Sequence, residues 1–290
     1  MLDFEDDYRR WREHKLTYWP STATLKPTLI HDPAALQEDE KARLRKHCLT
    51  TNFALYRLEN PAPVSKSVIS AFARQLGMLQ FDQNLCADNQ QVSSLEVRGT
   101  GRATGYIPYT DRALNWHTDG YYNPLEQHIR SFLLHCVCNA PNGGENIFVD
   151  HEIIYIKLYD HDPALITALR QHDALTIPAN IEQGIMVRPS QTGPVFYRDP
   201  ISRSLQMRYT ARARNIQWKQ DKSLTRALEM IEQLLTEQQT VLHYTLQPGE
   251  GFICNNILHG RTSFTNGNIP DQKRLLYRIR SYDRLFFTSD

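Results

Sequence analysis

The chain has 290 residues, of which 41% are hydrophobic and 22% are charged, as is typical of a globular protein with one large core. Its 33 Lys and Arg residues nearly balance its 32 Asp and Glu residues, which argues against a nucleic-acid-binding or membrane-surface protein. No apolar run approaches membrane-spanning length, and the opening "MLDFEDDYRRWREHK" is too rich in charge for a signal or transit peptide. We therefore expect a cytoplasmic protein with no nucleic-acid and no membrane partner.

The cysteines predict neither a zinc knuckle nor a disulfide framework, because none are spaced as CxxC and their number is odd. The five are Cys48, Cys86, Cys136, Cys138 and Cys254. In "LLHCVCN" the two cysteines would share one face of a strand as small buried hydrophobes. A reducing compartment fits this usage.

The first third of the chain is predicted to alternate between helical and extended segments. The predicted elements are an arm or short helix over the first thirty residues, a helix over 32–48, a strand over 53–58, a helix over 65–77 and a short strand over 93–98. The segment 32–48 opens with Asp-Pro and then carries dense charge with spaced apolar residues, as a helix would. Gly77 stands where a C-terminal helix cap belongs.

From residue 106 onward, short strand patterns dominate. The predicted elements are a strand over 131–139, two helical pieces over about 150–172 broken by "DHDP", strand pieces at 175–178, 185–188, 195–198 and 205–209, an amphipathic helix over 221–238, and final strands in "VLHYTLQ", "GFICNN" and "KRLLYRIRSYD". This pattern predicts an α+β fold that is mainly β with flanking helices. We expect one domain, in which an N-terminal helical and strand region (1–105) packs on a core (106–290).

The run "NWHTDGYYNP", residues 115–124, places His117 and Asp119 one residue apart. Side chains at i and i+2 of a strand share one face, so both would point into the same space. Imidazole and carboxylate are two of the three ligands in the facial triad that holds non-haem Fe(II). His-x-Asp triplets are also common in solvated turns, so the metal interpretation needs a third ligand.

Two later runs supply further candidates. "GFICNNILHGRTSF", residues 251–264, contains His259, although a lone histidine there would ordinarily be hydrogen-bonded and half-buried. "QKRLLYRIRSYD" places Arg274, Arg278 and Arg280 on one face of a strand. Exposed strands carry arginines for solubility, but the arginine fork is also the side chain best suited to gripping a carboxylate.

In this order, "HTD", "GGEN", "LHGRTSF" and the arginine strand resemble the TauD/TfdA family of Fe(II)- and 2-oxoglutarate-dependent dioxygenases. The resemblance covers roughly residues 106–285 and is closest to the gamma-butyrobetaine hydroxylase-like branch. It implies a double-stranded β-helix, or jelly-roll, with the metal at its mouth. It also implies that the protein uses Fe(II), 2-oxoglutarate as cosubstrate, and O2.

The resemblance assigns roles to individual residues. It implies three iron ligands: His117, Asp119 and His259. Arg274 matches the arginine that binds the distal carboxylate of 2-oxoglutarate, and Arg278 is the alternative for that task. Asn146, which ends "GGEN", stands where the family often has a hydroxyl residue beside the cosubstrate, and its amide would donate a similar hydrogen bond.

The substrate is constrained less by the resemblance. Tyr109 matches a tyrosine of the aromatic cage that holds a quaternary ammonium in gamma-butyrobetaine hydroxylase, where cation–π attraction acts. Gly120 replaces a cage aromatic, and Arg278 would repel such a cation. An acidic or zwitterionic substrate is therefore favoured over a carnitine-type one. Tyr121 and Tyr122 are further candidate contacts, although core packing is the ordinary role of such residues.

Arg214, in "RYTARARN", matches a basic residue near the metal in relatives, with a solvated turn as the alternative. We thus predict an oxygenase that oxidises, and most simply hydroxylates, a small polar molecule with release of succinate and CO2. Two alternatives stay open: the same chemistry on a macromolecule, and a non-catalytic jelly-roll module for binding or sensing. The substrate, the choice between hydroxylation and desaturation or group release, and a possible homo-oligomer are left open.

Overall fold

The fold is a mixed α/β arrangement of six helices and nineteen strands in the part of the chain that the computed structural model describes, residues 4–83, 91–99, 106–212, 214 and 216–286. The helices are α1 (Phe4–Tyr18), α2 (Glu38–Thr51), α3 (Lys66–Gln75), α4 (His151–His161), α5 (Pro163–Leu169) and α6 (Lys222–Leu234). Single turns of 3-10 helix lie at Thr22–Thr24, Ile107–Tyr109, Leu125–Gln127 and Pro270–Gln272.

The strands are short, with a longest member of eight residues. They are β1 (Thr28–Ile30), β2 (Phe53–Leu58), β3 (Ser93–Leu95), β4 (Leu114–His117), β5 (Ser131–Cys138), β6 (Asn142–Gly143), β7 (Asn146–Val149), β8 (Leu175–Ile177), β9 (Asn180–Glu182), β10 (Ile185–Arg188), β11 (Gln191–Gly193), β12 (Phe196–Arg198), β13 (Leu205–Met207), β14 (Gln217–Trp218), β15 (Leu242–Tyr244), β16 (Glu250–Cys254), β17 (Leu258–Arg261), β18 (Phe264–Thr265) and β19 (Leu275–Ser281).

Two sheets organise the molecule. The larger has six strands in the order β1-β2-β16-β5-β19-β3, and the smaller has four in the order β15-β7-β17-β4. Aromatic rings fill the space between them: Phe148 of the smaller sheet lies 4.9 Å from Phe53 and 5.7 Å from Phe252 of the larger sheet, centroid to centroid. The two sheets therefore face each other across one apolar core.

The larger sheet is buried on its second face as well. On β2, Phe53 and Leu55 join the core between the sheets, while Ala54, Tyr56 and Leu58 belong to a second cluster with residues of α2 and α3. Successive strand residues point to opposite faces, so a strand covered on both sides must be apolar throughout. This explains why "FALYRL" has a near-continuous apolar pattern.

Helices α4, α5 and α6 form a third cluster with the strands between residues 175 and 209. On α6 the buried residues are Leu224, Ala227, Ile231 and Leu234. Their spacing of three and four residues is the helical period, and it places one apolar stripe against the protein.

Most of the predicted elements are confirmed, with shifts at their ends. The helix expected over 32–48 begins only at Glu38, because Glu40 accepts the backbone N–H of Gln37 in a capping box. The strand expected over 93–98 ends at Leu95. Gly77 has the left-handed φ of +91° expected of a residue just after a helix.

The N-terminal region is tied closely to the rest of the chain. It supplies β1, β2 and β3 to the larger sheet. Lys15 of α1 is buried, with its Nζ 2.8 Å from Asp150 Oδ2 and 2.7 Å from Glu152 Oε2. The domain boundary at residue 105 stays a prediction. No helix within the described ranges is long and apolar enough to cross a membrane.

The described cysteines, Cys48, Cys136, Cys138 and Cys254, are free thiols. Cys136 is buried, as expected of a small apolar residue, whereas its neighbour Cys138 is only half-buried. Cys48 and Cys254 are buried as well. Cys86 lies outside the described residues.

Candidate active site

Strand pairing brings together two histidines that lie far apart in sequence. His117 ends β4 and His259 lies on β17, and the two are register partners in the smaller sheet. Their ring centroids are 4.2 Å apart. Asp119 follows β4, with its Oδ1 4.0 Å from Nε2 of His117. One ligand atom from each of the three buried side chains lies within 4.8 Å of the others.

Backbone carbonyls select the tautomer of both imidazoles. Nδ1 of His117 lies 2.8 Å from the carbonyl oxygen of Asn115, and Nδ1 of His259 lies 3.0 Å from that of Ile257. In the neutral ring each Nδ1–H donates to its carbonyl and leaves the Nε2 lone pair available as a ligand. Burial, aided by the proximity of the second imidazole of His259, lowers the pKa of His117 to about 3, and burial also lowers the pKa of His259. Both rings are therefore neutral, as metal ligands must be.

The carboxylate of Asp119 is held in its charged form. Burial alone would raise its pKa, but the positive charges of Arg278 and Arg280 outweigh burial and hold the pKa well below its usual range. Arg278 Nη1 is 3.2 Å and Arg280 Nη1 is 3.8 Å from Asp119 Oδ1. Two neutral imidazoles and one carboxylate on one side of a small space fit a divalent transition-metal ion and leave the opposite positions open.

The amide of Asn256 fixes the backbone that carries Asp119. The N–H of Asp119 donates to Asn256 Oδ1 at 2.8 Å, and Asn256 Nδ2 donates back to the carbonyl of Asp119 at 3.0 Å. The same Nδ2 donates to the carbonyl of Ile129 at 2.6 Å. Asn256 was not predicted from the sequence, where its only signal is a position three residues before His259.

The backbone after Asp119 requires glycine. Gly120 has a φ of +66°, and a Cβ at this position would lie 2.5 Å from Cγ1 of Ile129. An aromatic side chain at this position would need both a changed backbone and a displaced neighbour. The absence of a cage aromatic here thus has a conformational cause.

A pocket extends from the ligand residue His259 toward the start of β19. It is lined by His259 and Arg278 at one side and by Arg274 and Asn146 at the other, with apolar walls that include Leu276. It therefore connects a metal-ligand cluster to a buried guanidinium across an apolar passage.

Arg274 is buried without a counter-charge. Its exposed fraction is 5%, and no acidic side chain in the described part of the chain lies within ion-pair distance of it. Its guanidinium stacks on the ring of Phe264 at 5.1 Å. Burial lowers its pKa to about 10. A buried arginine of this kind is suited to a carboxylate ligand, which would neutralise it through paired hydrogen bonds.

A second buried arginine, which we had not predicted, lies beside Arg274. Arg261 follows His259 by two residues, and its Nη2 donates to the carbonyls of Thr110, at 3.0 Å, and Arg112. Its guanidinium lies 4.6 Å from the centroid of the Phe264 ring. Burial and the charge of Arg274 lower the pKa of Arg261 to about 9. The two guanidinium groups make this end of the pocket strongly cationic.

The remaining candidates for the cosubstrate differ in position. Asn146 lies across the strand pair from Arg261, and its Nδ2 donates to the carbonyl of Tyr244 at 3.2 Å. It lines the pocket beside Arg274. Arg278 instead contacts Asp119 at the opposite end. Of the two arginines considered for the distal carboxylate, Arg274 is thus the one remote from the ligand cluster.

The tyrosines separate into two groups. Tyr109 lies in the core between the sheets, and the guanidinium of Arg98 lies 5.1 Å from its ring centroid. Tyr121 and Tyr122 follow Asp119, and the hydroxyl of Tyr122 accepts a hydrogen bond from Arg280 at 3.0 Å.

Arg214, the remaining candidate for a contact with the substrate, is exposed, and residues 213 and 215 lie outside the described ranges.

Comparison with known proteins gives a consistent group of relatives. The profile of the family described as "Taurine catabolism dioxygenase TauD, TfdA family" matches residues 20–280. A uridine-5'-phosphate dioxygenase of Amycolatopsis sp is 29% identical over 192 residues, which are 64% of this chain and 66% of the relative. One from Streptomyces sp is 26% identical over 205 residues, or 67% and 70% of the two chains. The matches thus span about two thirds of these relatives.

Two solved structures share the fold at low sequence identity. Asparagine oxygenase, in complex with Fe(II), 2S,3S-3-hydroxyasparagine and succinate, has a TM-score of 0.62 and 16% identity, covering 97% of this chain and 92% of that chain. The non-heme iron oxygenase OrfP, in complex with Fe and alpha-ketoglutaric acid, has a TM-score of 0.63 and 17% identity, covering 96% and 92%. The similarity extends over nearly the whole of each chain.

Proposed function

This chain belongs to the TauD/TfdA dioxygenase family, and from that premise we propose that it is an Fe(II)- and 2-oxoglutarate-dependent oxygenase built on a jelly-roll core. It oxidises a small anionic substrate with release of succinate and CO2. The two sheets that face each other across the aromatic core, antiparallel except for the parallel pair of β1 and β2, support the jelly-roll. Membership of a dioxygenase family disfavours the non-catalytic binding module.

Three residues hold the iron: His117, Asp119 and His259. The bound ion supplies the activation of O2 and the oxidation coupled to decarboxylation of the keto acid. The protein contributes orientation. The carbonyls of Asn115 and Ile257 direct the two Nε2 atoms inward, and Asn256 fixes the segment that carries the carboxylate.

A pocket with metal ligands at one end and an unneutralised buried arginine at the other is the observation that carries this proposal. A bound 2-oxoglutarate would have its keto acid at the metal end and its distal carboxylate held by Arg274. Asn146, which lines the same pocket, would lie beside that carboxylate. Arg278 stays at the metal end, where its charge stabilises Asp119 and faces the substrate.

The substrate class follows from charge and from the curated relatives. Fe(II), Asp119 and the 2-oxoglutarate dianion together carry one negative charge. Arg261, Arg274 and Arg278 carry three positive charges around them, so the loaded site remains cationic. The two relatives are named uridine-5'-phosphate dioxygenases. We therefore take a nucleoside 5'-monophosphate as the substrate, and hydroxylation as its simplest oxidation.

A quaternary ammonium substrate does not suit this environment, because Arg98 already covers Tyr109 and Arg278 faces the metal end. The gamma-butyrobetaine hydroxylase-like branch is thus a less favoured form of the proposal. A cytoplasmic location and a homo-oligomer stay predictions.

The test is visible absorption under anaerobic conditions, with Fe(II) and then 2-oxoglutarate added to metal-free protein. We expect a broad band that appears only when both are present. His259→Ala should abolish the band, and Arg274→Gln should move its appearance to much higher 2-oxoglutarate concentration. Folded protein that binds the metal but gives no band would contradict the proposal.

A further inference from the structure

A segment after β13 runs alongside the ligand strand β4. The N–H of Thr118 donates to the carbonyl of Tyr209 at 3.0 Å, and the N–H of Ala211 donates to the carbonyl of Trp116 at 2.8 Å. Between these bonds, Thr210 is bridged to His117. Residues opposite each other in an antiparallel pair share a face, as do residues two apart. Arg212 therefore lies on the same face as the iron ligand His117.

The side chain of Arg212 lies beside a tyrosine hydroxyl and is not neutralised. The hydroxyl of Tyr121 is close to the side chains of both Thr210 and Arg212. Arg212 is half-buried, and none of the acidic side chains in the described ranges lies within ion-pair distance of it. A guanidinium has five N–H donors, and one phenol oxygen does not use them all. The group is thus positioned for an anion beside the metal ligands.

Other arginines near the two tyrosines are already engaged. Arg280 binds Asp82 and the hydroxyl of Tyr122. Arg188 lies over the ring of Tyr122, 5.8 Å from its centroid, and its Nη2 donates to the carbonyl of Pro178 at 2.7 Å. Arg188 therefore adds positive charge to this wall, while Arg212 keeps donors for a ligand.

We propose that Arg212, near Tyr121 and on the same face of the strand pair as His117, binds the phosphate group of the substrate and determines the preference for a phosphate monoester. The inference rests on the proposed function, because it concerns the substrate that is oxidised at this metal. A phosphate monoester carries nearly two negative charges at neutral pH, and its oxygens accept the paired hydrogen bonds of a guanidinium. The negative charge of the phosphate would neutralise the positive charge that the site keeps when Fe(II) and 2-oxoglutarate are bound.

Calorimetric titration of the anaerobic Fe(II)- and 2-oxoglutarate-loaded enzyme tests the role of Arg212. Uridine 5'-monophosphate and uridine are the two probes, and they differ only in the phosphate. We expect wild-type protein to bind the monophosphate more tightly than uridine. Arg212→Gln should weaken binding of the monophosphate by about 10- to 100-fold and leave uridine binding within about threefold. Arg212→Lys, which keeps the charge, should recover part of the loss.

Two controls separate this inference from its premise. Arg226→Gln removes an exposed arginine of α6 and should change neither probe. The absorption band with 2-oxoglutarate should be unchanged in Arg212→Gln.

Equal weakening of both probes, or no weakening, would overturn the role of Arg212. A wild-type enzyme that shows the band but binds the monophosphate no better than uridine would overturn the phosphate assignment. Absence of the band in the wild type would instead defeat the proposed function.

Discussion

The two ends of the pocket are built on opposite principles. At the metal end, each ligand residue has a partner in the protein: two carbonyls for the histidines, and Asn256 and two arginines for Asp119. At the far end, Arg261 and Arg274 lie side by side with no acidic partner among the described residues. The first end is preorganised by the fold, whereas the second is completed only by a ligand.

This difference has energetic consequences. Breaking a satisfied network leaves buried polar groups without partners, which destabilises the protein and misplaces the ligand atoms. Removing an unpaired buried cation takes away a group that already disfavours the folded state. We therefore expect substitutions at the metal end to lower both the free energy of unfolding and the metal affinity. Substitutions at the far end should lower the affinity for 2-oxoglutarate without lowering the free energy of unfolding.

Asp119→Ala has the largest expected effect. It deletes a metal ligand and removes the negative charge that faces Arg278, while Arg280 keeps its ion pair with Asp82. We expect succinate formation to fall by about a thousandfold or more, together with a large loss of Fe(II) affinity in a direct titration. Asp173→Ala, an exposed carboxylate paired with Lys219, is the control. Metal affinity equal to that of the wild type would show that Asp119 is not a ligand.

Arg274→Gln tests the opposite end. Loss of charge-assisted hydrogen bonds should raise the dissociation constant of 2-oxoglutarate by about 100- to 1000-fold. Urea unfolding of the metal-free and ligand-free protein should show an unchanged or increased free energy of unfolding, because the buried cation has no partner to lose. A strongly destabilised variant with normal 2-oxoglutarate affinity would mean that Arg274 is structural, and the contrast between the two ends would disappear.

Asn256→Ala should affect both stability and metal binding. It leaves the N–H of Asp119 and two carbonyls without their partner, so we expect a loss of about 3 kcal/mol in the free energy of unfolding. Fe(II) affinity should fall by about 10- to 100-fold, as for other groups that orient a ligand. Asn256→Gly separates the amide from the backbone, because glycine tolerates the left-handed φ of 49° at this residue. If Asn256→Gly retained wild-type metal affinity, the amide would have no positioning role.

The smallest effect is expected at Asn146. Asn146→Thr replaces the amide donor with a hydroxyl donor and should change the dissociation constant of 2-oxoglutarate by no more than about threefold. Asn146→Leu should weaken binding by about tenfold, which is the loss of one ordinary hydrogen bond. Equal affinities in both variants and the wild type would remove Asn146 from the cosubstrate site.

Local patterns in the sequence predicted more of the fold than of the site. The strand at 53–58 and the helix over 221–238 were predicted from the spacing of their apolar residues. The same residues are buried in the folded protein, so packing favours the predicted elements. The start of α2 was placed too early, because the capping of Gln37 by Glu40 outweighs the preceding Asp-Pro signal. His117 and Asp119 were found because their spacing is local, although β4 ends at His117 and Asp119 lies in the turn that follows.

The residues that were missed act through contacts remote in sequence. Arg261 holds the carbonyls of Thr110 and Arg112, and Asn256 holds those of Asp119 and Ile129. A carbonyl group has no sequence signature, so such partners become visible only when the chain is folded. The pairing of β4 with β17, across about 140 residues, is likewise a property of the topology.

The strand order of the larger sheet also governs when this protein can fold during its synthesis. Strand β16 lies between β2 and β5, and β19 lies between β5 and β3. Until residues 250–281 have left the ribosome, β2 lacks one neighbour and β5 lacks both. Contacts of such long sequence separation make folding slow and leave apolar strand edges exposed to aggregation in the nascent chain. Strand β19 also carries Arg278 and Arg280, so the charge of Asp119 is balanced only after this strand has been synthesised.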